Sequence, residues 1–353
     1  MVNRRDFLKI CAAIGTAATI ELYSADIRDI FTQALEVHAQ GDVTRVIWLA
    51  GAQDTGCTVS LLQGANPDLI DVITKFRLQI DFHQTLMIPE GEKAIKRLED
   101  VVNDKSRVDV LIMEGAIPEG YFCTVGEIDG QPVPIEDWVR EIGGRAKYNI
   151  AVGQCATYGG IPAAKPNPTN CRPLSEVLPD KTVINIPGCP PNPDWMTLAF
   201  AQALQGLPIE LDEIGRPTAI FKETVHDGCP LLGYYEEGVF ATSLDGPGCL
   251  YKLGCKGPLA RADCTVRRWN QGVNACTTAG GCKACVEKGW PDEPFAPFYE
   301  EASEIPPQAA IGINPLLIAG AATGAAAVGA VAYAEHRRRK HKKEAKKETG
   351  AEQ

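Results

Sequence analysis

The chain has 353 residues, enough for two or three domains, with 35 Lys and Arg against 45 Asp and Glu for a formal charge of −10. The last 19 positions hold eight of the basic residues beside four Glu, leaving −14 on everything before them, and a body that acidic repels a phosphate backbone and excludes nucleic-acid binding. Thirteen cysteines are far below disulfide-scaffold density and an odd number cannot all pair, so their spacing must say what they do.

The first residues, Asn3-Arg4-Arg5-Asp6-Phe7-Leu8-Lys9 followed by the mild apolar stretch Ile10 to Ile20, read as a basic region before a short apolar one. That pattern marks an export signal of the twin-arginine type, which carries proteins across already folded and cofactor-loaded; an amphipathic N-terminal helix is the plainer alternative. Residues 1–42 are assigned to this signal and a linker.

Over residues 43–206 short β-branched runs alternate with helical patterns. Strands are expected at Val43–Leu49, Val108–Met113, Tyr148–Val152 and Thr182–Ile186, and helices at Asp68–Leu78, Glu92–Val102, Ile135–Ile142 and Trp195–Leu204. Near-continuous apolar strands separated by helices predict an α/β domain with an open, doubly wound parallel sheet. The strands run into Gly51-Ala52-Gln53-Asp54-Thr55-Gly56-Cys57, Glu114-Gly115, Gly153-Gln154-Cys155 and Pro187-Gly188-Cys189. Cys57, Cys155 and Cys189 are thereby delivered to the carboxyl edge of the sheet, where such folds bind ligands, each beside glycine that lets backbone approach closely. Neither a dinucleotide-binding Gly-x-Gly-x-x-Gly nor a P-loop is present.

Residues 207–300 are irregular and carry two spaced sets, His226-x2-Cys229-x19-Cys249-x5-Cys255 and Cys264-x11-Cys276-x5-Cys282-x2-Cys285. A stretch with few long apolar runs needs bound metal to help it fold. Zinc is one reading, giving a zinc-stabilised, membrane-tethered binding protein without redox function. Two zinc sites leave the three cysteines of the sheet edge unexplained, whereas three iron–sulfur clusters account for all of them and form a relay for single electrons.

After a linker at 301–310, Ile311 to Ala334 is uncharged and long enough to cross a bilayer, with small residues suited to close helix packing; a loose surface helix is the alternative. The basic tail 335–353 is a positive-inside signal. Both ends predict one topology at the cell membrane: a single-pass anchor, the body on the extracytoplasmic side and the tail in the cytoplasm.

Taken together, Trp48-Leu49 through Asp54-Thr55-Gly56-Cys57, Gly153-Gln154-Cys155, Ile186 to Pro191, Ile220 to Cys229, Gly248 to Pro258, Cys264 with Arg268-Trp269, and Cys282-Lys283-Ala284-Cys285 resemble the small, electron-transferring subunit of nickel–iron hydrogenases of the exported, membrane-bound kind. The resemblance spans Val43 to about Phe298. It implies a flavodoxin-like domain holding a proximal [4Fe-4S] cluster on Cys57, Cys155 and Cys189, and an irregular iron–sulfur domain. There His226, Cys229, Cys249 and Cys255 match the ligands of a distal [4Fe-4S] cluster, and Cys264, Cys282 and Cys285 match three medial ligands. It also implies a large subunit that carries the nickel–iron site, and a membrane electron acceptor such as a cytochrome b or an iron–sulfur/quinone module.

Three departures stand out. Asp54 occupies the place of the first proximal cysteine and is expected to supply the fourth ligand, with Cys123 as the rival. Cys276 occupies the place of a proline beside the medial cluster, which predicts [4Fe-4S] there rather than [3Fe-4S]. Gly56 and Gly160 stand where oxygen-tolerant members carry two extra cysteines. Cys11 falls in the signal, and Cys123 and Cys171 have no assigned role.

Overall fold

The computed structural model describes residues 43–64, 67–204, 209–269, 276 and 280–301. The export signal, the membrane anchor and the basic tail expected from the sequence lie outside these residues. Among the described residues no helix is long and apolar enough to cross a membrane.

Among the described residues seven strands form two sheets. The strands are β1 (Thr44–Ala50), β2 (Leu78–His83), β3 (Val110–Glu114), β4 (Thr124–Ile128), β5 (Gln131–Pro134), β6 (Tyr148–Val152) and β7 (Val183–Ile186). Five of them make a parallel sheet in the order β2-β1-β3-β6-β7, while β4 and β5 pair antiparallel as a hairpin. Counting only the five, the order is that of flavodoxin-like doubly wound folds, whose ligand crevice lies at the carboxyl ends of the strands where the winding reverses. Here that point falls between β1 and β3.

Strand periodicity divides the core between two faces. Val46, Trp48, Val110, Ile112, Ile150 and Val152 face one side, and Ile47, Leu49, Leu111, Met113 and Ala151 face the other. The helices on these faces are α1 (Gly56–Leu62), α2 (Leu69–Lys75), α3 (Glu92–Val102), α4 (Ile135–Arg145), α5 (Gln154–Tyr158) and α6 (Pro193–Leu204). In α3 the residues Ala94, Ile95, Leu98 and Val101 recur at helical spacing and are buried against the second face together with Trp138, Val139 and Ile142 of α4. Helix α6 is buried almost all round, because it lies between the first face and the irregular region. Trp195 in α6 meets Phe221 edge-on at 5.1 Å, and the same cluster continues to Val286, Trp290 and Phe295. The irregular region thus shares its core with the sheet.

One sequence expectation is corrected. The helix expected over Asp68–Leu78 stops at Lys75; Arg77 adopts φ +50, and Leu78 already opens β2, an edge strand that the sequence pattern does not announce. Cys123 follows β3 of the main sheet and immediately precedes the β4–β5 hairpin, whose two-residue turn is Asp129-Gly130, both at positive φ.

Candidate iron–sulfur site

Strand β1 ends at the switch point, and the chain turns back through Gln53 and Asp54 into α1. Thr55 is left-handed at φ +63, the Asp54 carboxylate accepts the Gly56 amide at 2.8 Å, and the Gln53 side chain accepts the amide of Thr55. The turn is locked from the neighbouring strand by Glu114, the last residue of β3 and 1% exposed. Its carboxylate accepts hydrogen bonds from the amides of Cys57 and Thr58 and from Trp48 Nε1, all at 3.1 Å, and from the Thr58 hydroxyl. Sequence reasoning missed Glu114 as a site residue. Its signal was an acid closing the otherwise apolar run Val110-Leu111-Ile112-Met113.

Cys155 lies in the first turn of α5 after β6, and Cys189 follows β7. Glycine permits their close approach to Cys57: a Cβ on Gly153 would lie 2.3 Å from Cys57 Sγ, and one on Gly160 would lie 2.9 Å from Cys155 Sγ. The structure therefore brings Cys57, Cys155 and Cys189 together, and the Asp54 carboxylate acts electrostatically on all three thiols. Burial, followed by the charges of Glu114, Cys155, Cys189 and Asp54, holds the Cys57 thiol well above its ordinary range. Burial and Cys189 push Cys155 up to about 12. Acidic groups packed so that each opposes the ionisation of the next suit a polycationic centre, which reverses that balance. Cys123 stands apart; its thiol is raised by burial and by Cys171, which in turn contacts the Thr169 hydroxyl at 3.1 Å.

In the irregular region His226, Cys229, Cys249 and Cys255 line one pocket together with Val225, Leu250, Tyr251 and Pro258. The His226 ring stands edge-on to Tyr235 at 4.6 Å. Burial lowers its pKa against the opposing pull of Asp227 and Glu236, favouring the neutral imidazole that binds metal. A further group lies between these two. Cys264, Cys276, Cys282 and Cys285 act on one another electrostatically.

The groups adjoin one another. Cys189 acts electrostatically on the Cys285 thiol, and the Cys282 amide donates to Cys255 Sγ at 3.2 Å. Other sulfurs accept amides too, Cys229 from Leu231 and Cys282 from Ala284, both at 3.4 Å. Amide donors aimed at sulfur are what cluster thiolates require. Among the described residues no group of three or more His, Cys, Asp or Glu side chains is arranged to hold a single metal ion.

Two lysines beside the Cys282–Cys255 link were also missed. Lys256, 1% exposed, donates to the Glu300 carbonyl at 2.6 Å, and Lys283 donates to the Phe298 carbonyl at 3.0 Å beneath the Tyr299 ring. Burial lowers the pKa of both.

Comparison with known proteins agrees with this geometry. Residues 221–299 match the family described as the C-terminal part of NiFe/NiFeSe hydrogenase small subunits, and residues 55–203 match that described as the 20 Kd subunit of NADH ubiquinone oxidoreductase. The F420 non-reducing hydrogenase I small subunit of Methanosarcina mazei is 36% identical, covering 95% of this chain and 93% of its own. The periplasmic [NiFeSe] hydrogenase small subunit of Desulfomicrobium baculatum is 36% identical over 84% of this chain and 98% of its own. A solved structure of the Desulfomicrobium baculatum [NiFeSe]-hydrogenase superposes with a TM-score of 0.69 at 37% identity, covering 74% of this chain and 100% of that one. The zinc-stabilised binding protein finds no support in any of these. The chain belongs to the small-subunit family of nickel–iron hydrogenases and is the electron-relay subunit of such an oxidoreductase.

Proposed function

We propose that the three groups hold three iron–sulfur clusters, in the order Asp54/Cys57/Cys155/Cys189 (proximal), then Cys264/Cys276/Cys282/Cys285 (medial), then His226/Cys229/Cys249/Cys255 (distal). When bound, such clusters supply reversible one-electron transfer. The chain fixes their order and spacing, buries them and aims amide donors at their sulfurs. The observation that carries this reading is the adjacency of the groups: Cys189 acts electrostatically on the Cys285 thiol, and the Cys282 amide donates to Cys255 Sγ at 3.2 Å, a run from the proximal group through the medial to the distal.

The proximal group lies at the sheet edge, where Cys189 is exposed in this chain. That edge is the face proposed to meet the hydrogenase large subunit. With a carboxylate as fourth ligand, the iron held by Asp54 is the least tightly bound, since carboxylate is harder than thiolate. A fourth thiolate at Cys276 makes the medial cluster [4Fe-4S]. His226, packed against Tyr235 next to the exposed Tyr234, marks the exit for electrons. The export signal and the anchor Ile311 to Ala334 support a body on the outer face of the cell membrane, delivering electrons to a cytochrome b or an iron–sulfur/quinone module.

The test is purification from native membranes with partners retained. Hydrogen-dependent dye reduction by a complex of this chain with a large subunit is expected, with iron and sulfide matching three clusters. A membrane preparation holding this chain alone, colourless and with bound zinc, contradicts the proposal.

A further inference from the structure

The link between the medial and distal donor groups has a specific construction. Cys282 donates its amide to Cys255 Sγ at 3.2 Å, and Lys256 returns a hydrogen bond from its own amide to the Cys282 carbonyl at 2.7 Å. The two segments of chain thus clasp each other, with the residue after one donor holding the other donor's peptide. What allows the approach is Gly281. It adopts φ +71, and a Cβ there would lie 3.1 Å from Cys255 Cβ and 3.3 Å from its Cα. A side chain at 281 forces the two segments apart by a few tenths of an ångström, at the place where the amide reaches the sulfur.

We infer that Gly281 is a positioning residue for the distal site: by letting the Cys282 amide reach Cys255 Sγ, it raises the reduction potential of the distal cluster. The inference rests on the ligand assignment proposed above for Cys255. Its physics is electrostatic. A reduced cluster carries more negative charge on its sulfurs than an oxidised one, so a fixed N–H dipole aimed at a ligand sulfur stabilises the reduced form. Weakening that bond lowers the potential. The amide is backbone and keeps its proton, so the effect is independent of pH.

The experiment uses the assembled complex carrying Gly281→Ala or Gly281→Asn, with the distal midpoint potential read by redox titration followed by electron paramagnetic resonance. Both variants place a Cβ against Cys255, but Asn tolerates left-handed backbone, which separates the wedge from backbone strain. Gly130→Ala is the control: φ is +73 there and the space around it is open. Both Gly281 variants are expected to lower the distal midpoint, with the proximal one unmoved and the control at the wild-type value. An unchanged distal midpoint with all clusters present overturns the inference. So does loss of the distal cluster in both variants while the control assembles, since Gly281 is then a requirement of assembly and not of potential. The ligand assignment is checked separately by Cys255→Ser; if that variant keeps an unperturbed distal signal, the assignment itself has failed.

Discussion

Glu114 accepts the amide of Cys57 across the switch point of the sheet at 3.1 Å, joining the end of β3 to the start of α1. One carboxylate thereby fixes the turn that presents both Asp54 and Cys57, using four donors from three residues. A side chain that can accept on only one of its two terminal atoms cannot replace it. Glu114→Gln turns an amide donor toward either the Cys57–Thr58 amides or the Trp48 indole. The expected cost is about 1–3 kcal/mol for a buried donor left unpaired. Removing a negative charge beside Cys57 is also expected to raise the proximal potential. Unfolding of the complex and a redox titration check both effects.

Asp54→Ala is expected to leave a proximal cluster with one exchangeable or missing iron, and Asp54→Cys to keep the cluster and make it more robust to chelators. Iron counting and spectroscopy before and after chelator treatment distinguish the two. An intact, chelator-resistant cluster in Asp54→Ala removes Asp54 from the ligand set.

Cys276 groups with Cys264, Cys282 and Cys285, so the oxidised wild-type complex is expected to lack a stoichiometric three-iron signal. Cys276→Pro is expected to create one. An intense three-iron resonance in the wild type contradicts the assignment.

His83 supplies a pH dependence. It is 1% exposed and stacked on Trp48 at 4.9 Å, with Nδ1 accepting the amides of Thr85 and Leu86, and burial lowers its pKa from 6.5 to about 4. Below pH 6.5 the unfolded chain takes up a proton that the folded one refuses. Stability therefore falls as pH drops from about 6.5 to about 4, by up to about 3 kcal/mol. His83→Asn keeps an acceptor for the two amides and is expected to be less stable at pH 7, with a flatter profile through this window. Denaturant unfolding at pH 7 and pH 5 measures the difference.

The doubly wound sheet was legible because its central strands are buried on both faces and read as unbroken apolar runs. Helix α3 came out of the sequence with its bounds intact, since its apolar residues recur at helical spacing. Edge strand β2 was hidden. Leu78-Gln79-Ile80-Asp81-Phe82-His83 carries a charge that is paired with Arg45 at 2.6 Å, a contact no local pattern reveals. The hairpin's one local signal is Asp129-Gly130, between strands too short and too exposed to stand out. The cysteine and His226 groupings stand out in the sequence because their spacing is local, whereas Glu114 acts on residues 56 and 57 positions away. The sequence alone assigns Lys256 no role. The structure gives it two: its amide clasps Cys282, and its ammonium holds the carbonyl of Glu300.

The arrangement at Gly160 carries an expectation about oxygen. A side chain there meets Cys155 Sγ at 2.9 Å, so the local packing has no room for a further thiol. The complex is expected to be inhibited by oxygen, measured as hydrogen-dependent dye reduction before and after exposure to air; sustained turnover in air contradicts this.

The central claim is that three iron–sulfur clusters in this chain receive electrons from hydrogen split in the large subunit. Its most direct test is electron paramagnetic and Mössbauer spectroscopy of the purified complex before and after equilibration with hydrogen, alongside the same chain without its large subunit. The account predicts that hydrogen reduces cluster iron bound to this chain in the complex, and leaves the isolated, cluster-loaded chain oxidised. Cluster iron in the active complex that stays oxidised under hydrogen, or reduction of the isolated chain, contradicts it.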